Sequence, residues 1–119
     1  MATNQSIPEG SESWQAVAGL TPNDEDIIVS KITSDAFDGT SLVDKLNENK
    51  IGAIVLCGVA TEGCIKDSFT GAKTRGYKIF ILADGHSTFN PGAEEKIMRY
   101  NTNWSSQGAI LIDSNQLFF

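Results

Sequence analysis

Histidine and cysteine are scarce in this sequence, and long apolar runs are missing altogether. One histidine and two cysteines, Cys57 and Cys64, stand among 119 residues. The cysteines form no metal-binding spacing, and a pair is too sparse for a disulfide framework. No metal and no cofactor are expected, and a reducing cytoplasm is the expected compartment. No apolar stretch approaches a membrane span, and Met1 to Gly10 is polar, without the apolar core of a signal peptide. A membrane is therefore not an expected partner. Basic residues are few as well: 9 Lys and Arg stand against 15 Asp and Glu, a formal net charge of −6. They are scattered, whereas nucleic acid or an anionic surface calls for a clustered basic patch, so nucleic acid is not expected either. There is no internal repeat and no low-complexity linker.

What is present suits one small soluble domain over residues 1–119, with 40% hydrophobic content to fill a single core. The first twenty or so residues offer only Trp14, Val17 and Leu20 for packing and read as a loop or short docking segment. Asp26 to Ser30 is a β-branched run of buried-strand composition, ending in Lys31. Thr40 or Asp38 can cap a helix carrying Leu42, Val43 and Leu46. Ile51 to Gly58 is a continuous apolar run of the kind found in a central parallel strand, with Cys57 as a core residue. Past Gly58 the period changes. Thr61 can cap a helix with Ile65, Phe69 and Ala72 on one face, closed by Arg75-Gly76. Lys78 to Asp84 forms a further strand, and a loop containing Gly85, His86 and Ser87 follows it. A helix from Ala93 to Trp104 has Ile97, Tyr100 and Trp104 on one stripe. Ala109 to Asp113 makes the last clear strand, and Leu117 to Phe119 an apolar tail. Strands alternating with helices predict an α/β fold: an open parallel sheet, Rossmann-like and three-layered, with helices on its faces.

In such sheets the ligand crevice lies beyond the carboxyl ends of the strands. Lys31, Cys64, Asp84 and His86 all fall at such ends and face one rim. Cys64 lies in the first turn of its predicted helix, where backbone N–H groups without intrahelical partners and the helix dipole favour a thiolate, the reactive form. The same N–H groups can cradle an oxyanion. The alternative is a small buried filler. Lys31 is either a surface charge or a fixed cation for a thiolate. His86 is either a general base for Cys64 or a solvated loop residue. Asp84 suits a loop brace.

Gly58-Val59-Ala60-Thr61-Glu62-Gly63-Cys64-Ile65-Lys66, followed by Ala72, Gly76-Tyr77 and Asp84, resembles the signature of the isochorismatase-like cysteine hydrolases. Nicotinamidases, isochorismatases and carbamoyl-group amidohydrolases belong to that family. Lys31 with Asp35-Ala36-Phe37, Thr40 and Leu42 is similar to its lysine segment. Ile97 to Asn101 and Leu117 to Phe119 resemble its final helix and strand. The likeness runs from about Gly10 to the end. It implies Cys64 as nucleophile, Lys31 as the cation of a Cys–Lys–Asp triad, and a cis peptide at Val59-Ala60. The Ala60 and Cys64 N–H groups become the oxyanion hole, and Phe37, Asp84 and His86 are candidate rim residues. No histidine base is implied.

The resemblance covers the C-terminal two-thirds of the family domain, so the expectation is a chain truncated at its N-terminus. The family's first strand, which ends in the triad aspartate, and its metal-ligand segment have no counterpart here, and Asp24, Asp26 and Asp35 do not match that aspartate. Asp35 stands where the family has a small residue. Because that strand is central in the family's sheet, its loss is expected to leave apolar strand edges uncovered, which favours a homodimer. Two functions follow as expectations. One is a hydrolase of a small amide or related vinyl-ether substrate, impaired for want of the aspartate. The other is an inactive family member serving as a binding or assembly module. A Cys64–His86 hydrolase is a third.

Overall fold

The computed structural model describes residues 21–117. Three of the apolar runs become strands: β1 (Ala53–Val59), β2 (Lys78–Ser87) and β3 (Ile110–Ile112). They pair in parallel in the order β1-β2-β3. Parallel neighbours need crossover connections, and helices supply them. Of the three α-helices among the described residues, α1 (Leu42–Glu48) precedes the sheet, α2 (Lys66–Thr74) joins β1 to β2, and α3 (Ala93–Ser106) joins β2 to β3. The α/β parallel sheet expected from the alternation of runs is thus what the chain forms.

The core gathers where the helical stripes meet β2. Ile65, Phe69 and Ala72, spaced to share one helical face, are all buried, as are Ile79 and Ile81 at alternate positions of β2. Phe69 and Tyr100 both pack against Trp104, with ring centroids 5.8 and 5.4 Å away. Trp104 is almost wholly covered, which makes it the largest side chain in the core. Helix α2 ends as its sequence implies. Gly76 adopts φ +82, and the Gly76 and Tyr77 N–H groups bond back to the carbonyls of Lys73 and Ala72.

Three expectations need correction. Residues 26–31 form no strand: they have no described strand to pair with, and Ile27 and Ile28 are exposed. Residues Ile51 to Gly58 form an edge strand among the described residues, not a central one, and β2 takes the middle. Cys57 is accordingly exposed, along with Val55 and Val59. Finally, β2 runs on through the supposed loop to Ser87. Between Leu56 and Gly58 the register shifts, so that Gly58 pairs with His86 and Val59 with Ser87. Trp14, Val17 and Leu20, with Phe118 and Phe119, lie outside the described residues.

Candidate active site

Cys64 sits at the carboxyl end of β1, in a wide turn, Thr61–Ile65, that leads into α2. The sequence suggests an α-helix here. Gly63, with φ −114 and ψ −106, departs from helical geometry, so the α-helix proper begins only at Lys66. The turn is organised around one carbonyl: Ala60 O accepts from Gly63 N at 3.0 Å and from Ile65 N at 3.1 Å. The Cys64 N–H lies between these two donors. The Val59–Ala60 peptide bond is cis, and Gly58 before it takes φ +118, a region where only glycine is unstrained.

Lys31 reaches Cys64 across 33 residues of sequence. Its Nζ donates to Cys64 Sγ at 3.4 Å and to the Thr33 carbonyl at 2.9 Å. The second bond ties the ammonium back to its own segment. That segment is in turn docked on α2. Ser34 Oγ bonds Asp67, Ser68 Oγ donates to the Ser34 carbonyl at 3.3 Å, and the Ala36 N–H donates to Ser68 Oγ at 3.0 Å. Asp35 accepts from the Phe37 N–H at 2.9 Å, and its carboxylate lies directly over Gly71. A side chain at Gly71 would overlap it. Asp35 is therefore accommodated by the glycine opposite.

A cavity of about 410 Å³ opens beside the pair. It is lined by Phe37, Leu42, Leu46 and β1 from Ile54 to Val59, together with Lys31, Cys64 and Ser68. The lining is mostly apolar with a few convergent polar groups, the usual make-up of a small-molecule site. Phe37 is buried, stacked on Tyr77 at 5.7 Å and covered by the Arg75 guanidinium at 5.3 Å. It forms a wall of the cavity.

The other rim candidates go elsewhere. Asp84 points away, accepting from the backbone and hydroxyl of Ser114 at 2.8 and 2.6 Å. These bonds hold its carboxyl below the usual range. It braces the turn after β3. His86 is neither a solvated loop residue nor a partner of Cys64. It is buried, with Nδ1 bonded to Thr61 Oγ1 at 2.8 Å and Nε2 to Asn101 Oδ1 at 2.7 Å.

Sequence reasoning misses Ser68 and Glu62. Ser68 lies on the buried stripe of α2, between Ile65 and Ala72, and a serine on such a stripe is the signal that could find it. Glu62, beside Cys64, is held at a pKa of about 2 by the Thr88 hydroxyl, its own backbone N–H, Asn90 and Lys96. The Lys96 ammonium is 3.2 Å away. Glu62 and Lys96 thereby tie the turn to α3. Among the described residues no cluster of His, Cys, Asp and Glu has the arrangement of a metal site.

Comparison with known proteins places this arrangement. The isochorismatase domain model matches residues 2–116. Nicotinamidase 3 of Arabidopsis thaliana is 30% identical over 108 residues, covering 90% of this chain and 52% of its own length. Streptothricin hydrolase of Streptomyces noursei is 26% identical over 88 residues, covering 71% of this chain and 35% of its own. Among solved structures, an isochorismatase-like hydrolase from Alkaliphilus metalliredigens superposes with a TM-score of 0.79 at 28% identity, covering 90% of this chain and 57% of that one. An isochorismatase family protein superposes with a TM-score of 0.87 at 26% identity, covering 94% and 69%. The chain spans about a third to a half of the length of these two curated relatives. With the domain model covering nearly all of it, the chain belongs to the isochorismatase family.

Proposed function

We propose that this chain carries the nucleophilic part of a cysteine hydrolase site acting on the C–N bond of a small amide. The observation that supports it is the Lys31 ammonium 3.4 Å from Cys64 Sγ, both lining a mostly apolar cavity. A cation at that distance favours the thiolate over the thiol. The thiolate attacks the amide carbon, a C–S bond forms, and the carbonyl oxygen becomes an oxyanion facing the Ala60 and Cys64 N–H groups. The C–N bond then breaks, the amine leaves with the proton the thiol gave up, and water hydrolyses the thioester. A carboxylate carries that proton in the family's triad. The amide class follows the relatives named for nicotinamide, ureidoacrylate and streptothricin.

Ammonia release from nicotinamide and from N-carbamoyl amino acids, compared between the unaltered chain and Cys64→Ala, tests the reading. Turnover that depends on Cys64 is expected. Equal rates for the two proteins, together with a Cys64 no more reactive than an ordinary thiol, would remove it.

A second reading, an assembly module, is favoured by the outer edge of β1. No charged residue occurs from Ile51 to Thr61, and Val55 and Val59 are exposed. Sheet edges are usually protected by charge or proline. A homodimer built on this edge is expected by light scattering, with Val55→Lys shifting it to monomer. A monomer at every concentration would exclude it.

A further inference from the structure

Behind the turn that carries Cys64 runs a buried polar chain that the proposed reaction does not use. It starts at Thr61, which is fully buried, and passes to His86 Nδ1 at 2.8 Å. His86 Nε2 then meets Asn101 Oδ1 at 2.7 Å, and the Asn101 amide nitrogen donates to the Ala83 carbonyl at 3.1 Å. That last bond sets the direction of the rest. A carbonyl only accepts, so the amide nitrogen faces Ala83 and Oδ1 faces the ring. His86 Nε2 therefore carries a proton. In the neutral imidazole Nδ1 is then an acceptor, and the Thr61 hydroxyl donates to it. The ring also stands edge-on to Trp104, with centroids 5.2 Å apart.

Burying such a chain costs desolvation that apolar side chains would avoid. What it provides in return is a single orientation for each member. One end is fixed in β2 and α3, and the other end is the first residue of the turn that presents Cys64. We infer that His86 is a positioning residue for Cys64, holding the Thr61–Ile65 turn through the Thr61 hydroxyl. This rests on Cys64 being the nucleophile. His86 acts through Thr61 and makes no use of its own acid–base chemistry.

Cys57, exposed on β1, provides an internal reference. The full chain is treated with limiting iodoacetamide, and alkylation of Cys64 relative to Cys57 is measured by peptide mass mapping. In the unaltered chain Cys64 reacts faster. Thr61→Val and His86→Gln each lower the ratio by about tenfold, the effect of losing one ordinary hydrogen bond that shapes the turn. Thr61→Ser, which keeps the hydroxyl, retains the ratio and covers the case in which Thr61→Val fails to fold. The double variant Thr61→Val/His86→Gln is no slower than either single one, because the two residues act as a unit. An unchanged ratio in both folded single variants, or losses that add, would overturn the inference while leaving Cys64 as nucleophile. Equal reactivity of Cys64 and Cys57 in the unaltered chain would overturn the nucleophile assignment, and the inference with it.

Discussion

Replacing Lys31 by methionine removes the charge beside Cys64 and keeps most of the side-chain volume. The consequence can be worked from the geometry. Unit charges 3.4 Å apart attract by about 1 kcal/mol in bulk water and about 5 kcal/mol at an effective dielectric constant of about 20. Both residues are half-buried, and an intermediate figure of about 2 kcal/mol corresponds to roughly thirtyfold less thiolate near neutral pH. The rate falls by less than that. A thiolate that has lost its cation is more basic and more nucleophilic, and the gain recovers about half of the effect on a logarithmic scale. Alkylation of Cys64 in Lys31→Met is therefore expected to be about fivefold slower at neutral pH and about fivefold faster above pH ~9, where the thiol is ionised in both proteins. The two pH profiles cross. Stopped-flow alkylation between pH 5 and ~10, with Cys57 as reference, measures both limbs. Superimposable profiles would show that the Lys31 ammonium does not act on the sulfur. A variant slower at every pH would show that Lys31 shapes the site without acting through charge.

Three further outcomes follow from the surroundings of the pair. Gly71→Ala should gain up to about 1 kcal/mol in helix propensity, yet lower the thermal midpoint, because the new methyl meets the Asp35 carboxylate. Adding Asp35→Ala should abolish that penalty, and a destabilised double variant would contradict the packing described. Gly58→Ala, at φ +118, should cost about 1–3 kcal/mol in chemical denaturation, whereas an unchanged midpoint would deny that this backbone conformation requires glycine. The last concerns acid. Glu62 titrates at about 2 against an ordinary 4.5, and Asp84 is also lowered. Depressed carboxyl groups stabilise the fold above their unfolded values, and that contribution is lost as the pH falls through the folded ones. Melting temperature should therefore drop between pH 4.5 and about 2, less steeply in Glu62→Gln. An identical slope in that variant would discount the Glu62 contacts.

The alternation of apolar runs and the stripe of Ile65, Phe69 and Ala72 were legible because burial writes period directly into sequence. The cysteine turn and the lysine segment were legible through family resemblance. Neighbours were not. Whether Ile51 to Gly58 is central or marginal depends on what lies beside it, and composition is silent on that point. Asp84 and His86 both stand near the carboxyl end of β2, yet Asp84 turns to Ser114 and His86 into the core. The rule that places them on one edge does not say which way a side chain points. That Asp35 would sit over Gly71, distant in sequence, is likewise a matter of neighbours that composition does not carry.

The polar clasp between residues 34–36 and helix α2 has a consequence for how this site tolerates change. Ser34, Ala36, Asp67 and Ser68 attach the lysine segment by hydrogen bonds to the helix that follows the cysteine. The sulfur and its cation thus ride on one small assembly. A substitution in the clasp therefore shifts cation and sulfur relative to each other even though it touches neither of them.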